Sequence, residues 1–286
     1  MLSLKRKVIG LIKLIRPING FMMSLAVFVG AWLSLIESPS PDILNKILLG
    51  AVTAFTLSGA SMAINDYCDY EIDKINEPDR PLPSGIITLR GGLALAATLA
   101  LIGLMAAIFT SMPTALLALI SLIVSVTYAV KGKRTGLPGN FLVSFCVAVP
   151  FIYGSLIAKN GLDFKVLLFS LLAFLSNVGR EVTKGIVDIS GDEAQNMRTV
   201  AVVYGERSAA HLAGLFFLSA VLLSLAPPLM NMVSIWFIPL VAVADAGFIF
   251  SSIMLIQRPT RRNARKTKNL VLIWMMFGML AFLAGK

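Results

Sequence analysis

Apolar residues run along this chain in long unbroken stretches, without the alternation of a half-buried strand. Apolar segments occupy residues 17–36, 47–63, 91–130, 166–178, 209–226, 235–256 and 270–283, all free of charge except for Asp245, and another lies within 135–158, starting near residue 142. One crossing of a bilayer takes about 20 residues of helix. The 40 residues of 91–130 are therefore too many for one span, and the Thr110-Ser111-Met112-Pro113 break divides them in two. Pro227, Pro228 and Asn231 make a turn before the eighth span. The pattern predicts an all-α polytopic membrane protein with nine transmembrane helices. Membrane β-strands are excluded, because the runs are continuous. Before the first span, Lys5, Arg6 and Lys7 precede a short apolar stretch that Lys13 and Arg16 interrupt. This reads as an interfacial amphipathic entry and not as a removed leader.

Composition agrees. Of 286 residues 57% are hydrophobic and 14% charged, against roughly 25% charged in soluble domains, and mean hydropathy is +0.84. Nine spans leave no room for a second soluble domain, so residues 1–286 read as one integral membrane domain. Cys68 and Cys146 form neither a disulfide framework nor a CxxC metal site.

The net charge of +10 is explained by topology. With the N-terminus in the cytoplasm and alternating spans, 21 of the 25 Lys and Arg fall on the cytoplasmic side. Lys46, Lys159, Lys165 and Lys286 fall outside. That asymmetry obeys the positive-inside rule and supports an odd number of spans. Eleven of 15 acids share the cytoplasmic side, all within segments 64–90 and 179–208. These follow spans two and six, which suggests two similar four-helix halves and a ninth helix. Only Asp245 lies inside a span; it reads as structural.

The acids are patterned. On a continuing helix Asp66, Asp69 and Asp73 share one face, within about 60° at 100° per residue. Asn65 flanks that face and Glu71 points away. After span six, Arg180, Lys184, Asp188 and Asp192 step by four along one stripe, and Glu181 joins it. Like charges so placed oppose one another by about 4 kcal/mol per pair at 4 Å and an effective dielectric of about 20. A divalent cation removes that penalty. Oxygen ligands without His or Cys favour Mg2+ over zinc or copper. Arg180, Lys184 and Arg80 suit a phosphate-bearing substrate. Further polar residues stand near the same membrane face: Arg16 before Pro17, Asn19 one turn on, and Tyr128 with Lys131 at i, i+3, so that both can face one cavity. The proline-rich turn 76–83 holds Arg80. His211, the sole histidine, belongs to no catalytic triad, and no phosphate-binding glycine loop is present.

Asn65-Asp66-x-x-Asp69-x-x-x-Asp73 resembles the NDxxDxxxD motif of the UbiA superfamily of intramembrane prenyltransferases. Asn76-x-Pro78-x-Arg80-Pro81 resembles the stretch that follows it there, and Asp188-x-x-x-Asp192 the second motif, DxxxD. The resemblance covers the whole chain. Within the family, Arg180-Glu181-x-x-Lys184 and Arg198-Thr199 followed by Val203-Tyr204-Gly205 look most like the archaeal digeranylgeranylglyceryl phosphate synthases. Gly185 stands where many relatives carry an acid, so no metal contact is expected there.

The resemblance implies a bundle capped on its cytoplasmic side by segments 64–90 and 179–208. It implies that Asn65, Asp66, Asp69, Asp73, Asp188 and Asp192 hold Mg2+ on an isoprenyl diphosphate. Arg16, Asn19, Arg80, Tyr128, Lys131, Arg180 and Lys184 would contact substrate, with Lys184 and the five aspartates catalytic. The implied partners are geranylgeranyl diphosphate, geranylgeranylglyceryl phosphate and membrane lipid. Neither nucleic acid nor an oligomer is expected. Ionising an allylic diphosphate needs the leaving charge neutralised, and the cation then needs a dry apolar tunnel. The free hydroxyl of the acceptor closes the ether, its proton going to the enzyme or to the released diphosphate. The serious rivals are family members with an aromatic or a chlorophyllide acceptor. A cation or phosphate transporter is remote, since its site would lie near the midplane. So is a scaffold that binds anionic lipid through Arg261, Arg262, Arg265, Lys266 and Lys268.

Overall fold

The computed structural model describes residues 4–159 and 161–286, and among them the chain is helical with no strand. An interfacial helix, α1 (Leu4–Ile15), leads into α2 (Pro17–Ser34) and α3 (Pro41–Cys68). The short α4 (Tyr70–Asn76) follows, then α5 (Leu89–Thr110), α6 (Met112–Val130) and α7 (Leu137–Lys159). The second part holds α8 (Phe164–Ala194), α9 (Val200–Leu223), α10 (Ala226–Leu229), α11 (Phe237–Gln257) and α12 (Arg261–Ala284). Nine helices among the described residues are long and apolar enough to cross a membrane.

The break expected at 110–113 is real. Ser111 is extended between α5 and α6, and its hydroxyl accepts from the Thr114 amide at 3.3 Å. Elsewhere the helices outrun the charge-free segments. The 28 residues of α3 and 31 of α8 extend about 42 and 46 Å at 1.5 Å per residue. Both exceed a hydrocarbon core of about 30 Å, so their polar ends stand clear of it. A charge ends an apolar run without ending a helix. For the same reason the basic run 257–269 is no loop beyond its first residues: Thr260 caps α12 by accepting from the Asn263 amide at 3.3 Å, and the helix begins at Arg261.

The core lies between helices. Val178, Val182 and Ile186 of α8 pack with Phe217 of α9, Phe248 of α11 and Val271 of α12. Phe169 of α8 stacks on Phe282 of α12 with centroids 4.1 Å apart. The α2–α7 crossing is close. A Cβ on Gly30 would stand 2.0 Å from the Phe151 carbonyl oxygen, and one on Gly154 2.0 Å from that of Val27. Small residues let two backbones meet where lipid gives no hydrophobic drive for association. Large apolar side chains such as Ile18, Phe21, Leu101 and Phe109 are exposed, as a lipid-facing surface requires.

Candidate active site

Arg16 is the first fixed point. It takes a left-handed conformation, φ 48°, between α1 and Pro17 at the start of α2. A non-glycine residue held there is strained, and such strain concentrates at functional positions. The turn delivers its guanidinium to Asp66, with Nη2 donating to Oδ1 at 2.6 Å. Asp66 is almost fully buried at 3% exposure, and Arg80 approaches the same oxygen at 3.7 Å.

The helix carrying Asp66 stops at Cys68, and Asp69 forms the joint between α3 and α4. The amide of Asp69 donates to the Asn65 carbonyl at 2.9 Å, and that of Asp73 to the Asp69 carbonyl at 2.7 Å. The i to i−4 ladder thus continues through the joint, and Asn65, Asp69 and Asp73 keep a common face. Asn65 donates to Asp69 Oδ2 at 3.0 Å. Arg80 Nη1 donates to Asp73 Oδ2 at 2.7 Å. Burial raises the Asp73 carboxyl above the ordinary carboxylate range, and Arg80 offsets part of that rise. Glu71 points away and pairs with the exposed Lys74.

Lys133 is the cation that pairs with Asp69, and it replaces Lys131 in the expected arrangement. The residues Gly132–Arg134 form a 3-10 turn after α6. At about 3.0 residues per turn instead of 3.6, the turn swings residue 133 inward and leaves Lys131 exposed and outside both cavities. Spacing counted on a straight helix does not reveal this.

Opposite, α8 presents Lys184, Asp188 and Asp192. Glu181 accepts from Arg180 Nη1 at 3.0 Å and from Lys184 Nζ at 3.5 Å. Among the described residues Asp188 and Asp192 form no ion pair. Both line a polar cavity of about 790 Å³ together with Asn65, Asp69, Asp73, Arg16, Arg80, Tyr128, Lys133 and Lys184. Asp66 lies behind that wall. Sequence reasoning placed Glu181 on the α8 stripe without giving it a role, and left Lys133 out of the site, since no pattern marks it.

A second, apolar cavity of about 760 Å³ runs into the bundle and shares Arg16, Asn65, Tyr128, Glu181 and Lys184 with the first. Asn19 and Arg180 belong to this second cavity. Asn19 Nδ2 approaches Met62 Sδ at 3.7 Å, and the buried Nε of Arg180 has no partner. Met23, Leu57, Phe151, Leu172, Met276 and Met279 are among its walls. Deep in it, Asp245 accepts from the Ser224 hydroxyl at 2.7 Å. His211 touches neither cavity, and its Nδ1 bonds the Arg207 carbonyl at 2.7 Å. Cys68 and Cys146 are free.

A polar chamber walled by two acidic helices and opening into an apolar one suits a ligand with an anionic head and a long hydrocarbon tail. The UbiA prenyltransferase family pattern matches residues 23–280. The chain belongs to the UbiA prenyltransferase family. Digeranylgeranylglyceryl phosphate synthase of Archaeoglobus fulgidus is 36% identical over 100% of this chain and 98% of its own length. A solved structure concerning digeranylgeranylglyceryl phosphate synthase in membranes superposes with a TM-score of 0.82 at 30% identity, covering 98% of each chain. A UbiA homologue from Archaeoglobus fulgidus bound to GPP and Mg2+ shares the fold, with a TM-score of 0.70 at 15% identity over 96% of this chain and 99% of that one. With nine membrane-crossing helices among its described residues, the chain is a multi-pass membrane enzyme of this family.

Proposed function

We propose that this UbiA-family enzyme transfers a geranylgeranyl group from geranylgeranyl diphosphate to the free hydroxyl of geranylgeranylglyceryl phosphate, with Mg2+. The observation that carries the reading is the junction of the two cavities at Arg16, Asn65, Tyr128, Glu181 and Lys184. There the diphosphate head rests among charges while its chain lies in the apolar chamber. The full-length relatives named for this synthase supply the acceptor.

The residues fit a hard cation by donor type, since the acidic walls offer only oxygen. No three His, Cys, Asp or Glu among the described residues converge on one point. Mg2+ needs only one or two carboxylates and completes its shell with water and substrate phosphate. Asn65, Asp69 and Asp73 from one wall and Asp188 and Asp192 from the other would hold it, with Asp66 supporting the first wall from behind. When bound, the ion neutralises charge that develops on the departing diphosphate.

The chain's own groups do the rest. Arg16, Arg80, Lys133 and Lys184 place positive charge around the head, where leaving-group charge grows as the allylic C–O bond breaks. The apolar walls exclude water from the carbocation until the acceptor oxygen attacks. Arg180 and Asn19 border the first part of the prenyl path. The basic residues clustered at this end support an N-terminus and an active site on the cytoplasmic side.

The test is acceptor competition. Purified protein with Mg2+ and labelled geranylgeranyl diphosphate is offered geranylgeranylglyceryl phosphate beside an aromatic acid. Transfer to the glyceryl phosphate is the expected result. Transfer to the aromatic acid overturns the acceptor while leaving the ionisation step.

A further inference from the structure

The first two turns of α12 carry five cations, and the helix sorts them. Arg261, Arg265 and Lys268 line the polar cavity; Arg262 and Lys266 do not. At about 100° per residue, the first three lie within about 40° of one direction, and the other two point at least about 60° away from them. A helix that needed basic residues only to meet lipid headgroups has no reason to turn three of them inward.

The same stripe continues down the helix. Of the seven α12 residues that line the apolar cavity, Leu272, Met275, Met276, Met279 and Phe282 fall within about 60° of the direction set by Arg261, and Ile273 and Gly278 flank that face. One face of one helix is thus cationic for two turns and apolar for the next four.

These cations are also uncommitted. Arg16, Arg80, Lys133 and Lys184 each pair with a carboxylate. Arg265 and Lys268 have no hydrogen-bond or ion-pair partner among the described residues. Arg261 donates through Nε to the Val187 carbonyl at 3.0 Å. That bond seats the helix beside Asp188 and leaves the two terminal nitrogens of the guanidinium for a ligand.

The reaction proposed above brings two anions into one chamber, and only the donor's diphosphate is served by the aspartate walls. We propose that Arg261, Arg265 and Lys268 bind the phosphate of the acceptor, and that the apolar stripe below them takes its isoprenyl chain. The inference rests on the acceptor being a prenylated glycerol phosphate. In such a molecule the reacting hydroxyl stands on the carbon next to the one that bears the phosphate, so holding the phosphate positions the hydroxyl. Guanidinium groups suit this role because they meet phosphate in a bidentate fork.

The test is direct binding of labelled geranylgeranylglyceryl phosphate and of geranylgeranylglycerol, which lacks the phosphate, to detergent-purified protein without donor or Mg2+. The wild type is compared with Arg265→Gln/Lys268→Gln and with the off-face pair Arg262→Gln/Lys266→Gln, and Arg265→Lys serves as a partial rescue. The on-face pair should weaken binding of the phosphate compound by about tenfold or more, the loss of at least one charge-assisted contact. It should leave geranylgeranylglycerol and Mg2+-dependent binding of geranylgeranyl diphosphate within about twofold. The off-face pair should match the wild type. An equal loss in both pairs means general attraction to anionic lipid and overturns the proposal. So does an equal loss for the compound without phosphate, or a matching loss for the diphosphate. Wild-type protein that binds geranylgeranylglyceryl phosphate through these residues yet transfers only to an aromatic acceptor overturns the function proposed above and not this site.

Discussion

On α3 and α4 each aspartate of the first motif is matched with a cation: Asp66 with Arg16 and Arg80, Asp69 with Lys133, Asp73 with Arg80. On α8 the cation next to the motif, Lys184, is taken by Glu181, and among the described residues Asp188 and Asp192 have no ion-pair partner. The difference follows from burial. A carboxylate as buried as Asp66 cannot stay charged without compensation, so the turn before α2 brings Arg16 across to supply it. The α8 aspartates are only half-buried and line the polar cavity. One wall is held ready by its own cations, while the other waits for a cation from outside.

The sharpest way to break this contrast is to remove one carboxylate from each wall and read activity and stability together. Asp66→Ala should lower Mg2+-dependent transfer by about a thousandfold. It should also lower Tm, because Arg16 and Arg80 lose a partner. Asp192→Ala should cost comparable activity and leave Tm unchanged. Equal shifts in Tm would show that the walls are built alike.

Next in size, Arg16→Met should destabilise the protein by about 1–3 kcal/mol, measured by thermal unfolding in detergent. It strips the nearest cation from a buried carboxylate, and the loss is limited because Arg80 remains. Lys133→Met should raise KM for the diphosphate substrate by about tenfold, since a charge-assisted contact is lost, while Lys131→Met leaves it unchanged. The smallest effect belongs to Glu71→Gln, which changes an acid of the same segment on the wrong face. Transfer should stay within about twofold, as expected for an exposed pair.

Much of this was readable from the sequence because the bilayer is a demanding solvent. Apolar runs had to be helices, and the break at Ser111 had to separate two of them. The shared face of Asp69 and Asp73 followed from helical period, even though α3 and α4 are separate helices joined at Asp69. What escaped the sequence depended on tertiary placement. Asp66 lies beneath the cavity wall because Arg16 and Arg80 close over it. Lys133 replaces Lys131 because a 3-10 turn changes the rotation per residue. The inward face of α12 was hidden because its charges ended the apolar run, so the ninth apolar segment began only at residue 270. In each case the missing information was where a neighbouring element packs, which no local period contains.

The central claim is that the two acidic walls act together on one diphosphate. The most direct measurement is Mg2+-dependent transfer from geranylgeranyl diphosphate by Asp188→Asn, on protein whose Tm is recorded in the same preparation. The walls as described predict a wild-type Tm and loss of transfer by about a thousandfold. A variant with wild-type Tm and wild-type transfer would mean that the second wall plays no part in the chemistry, and the account would fail.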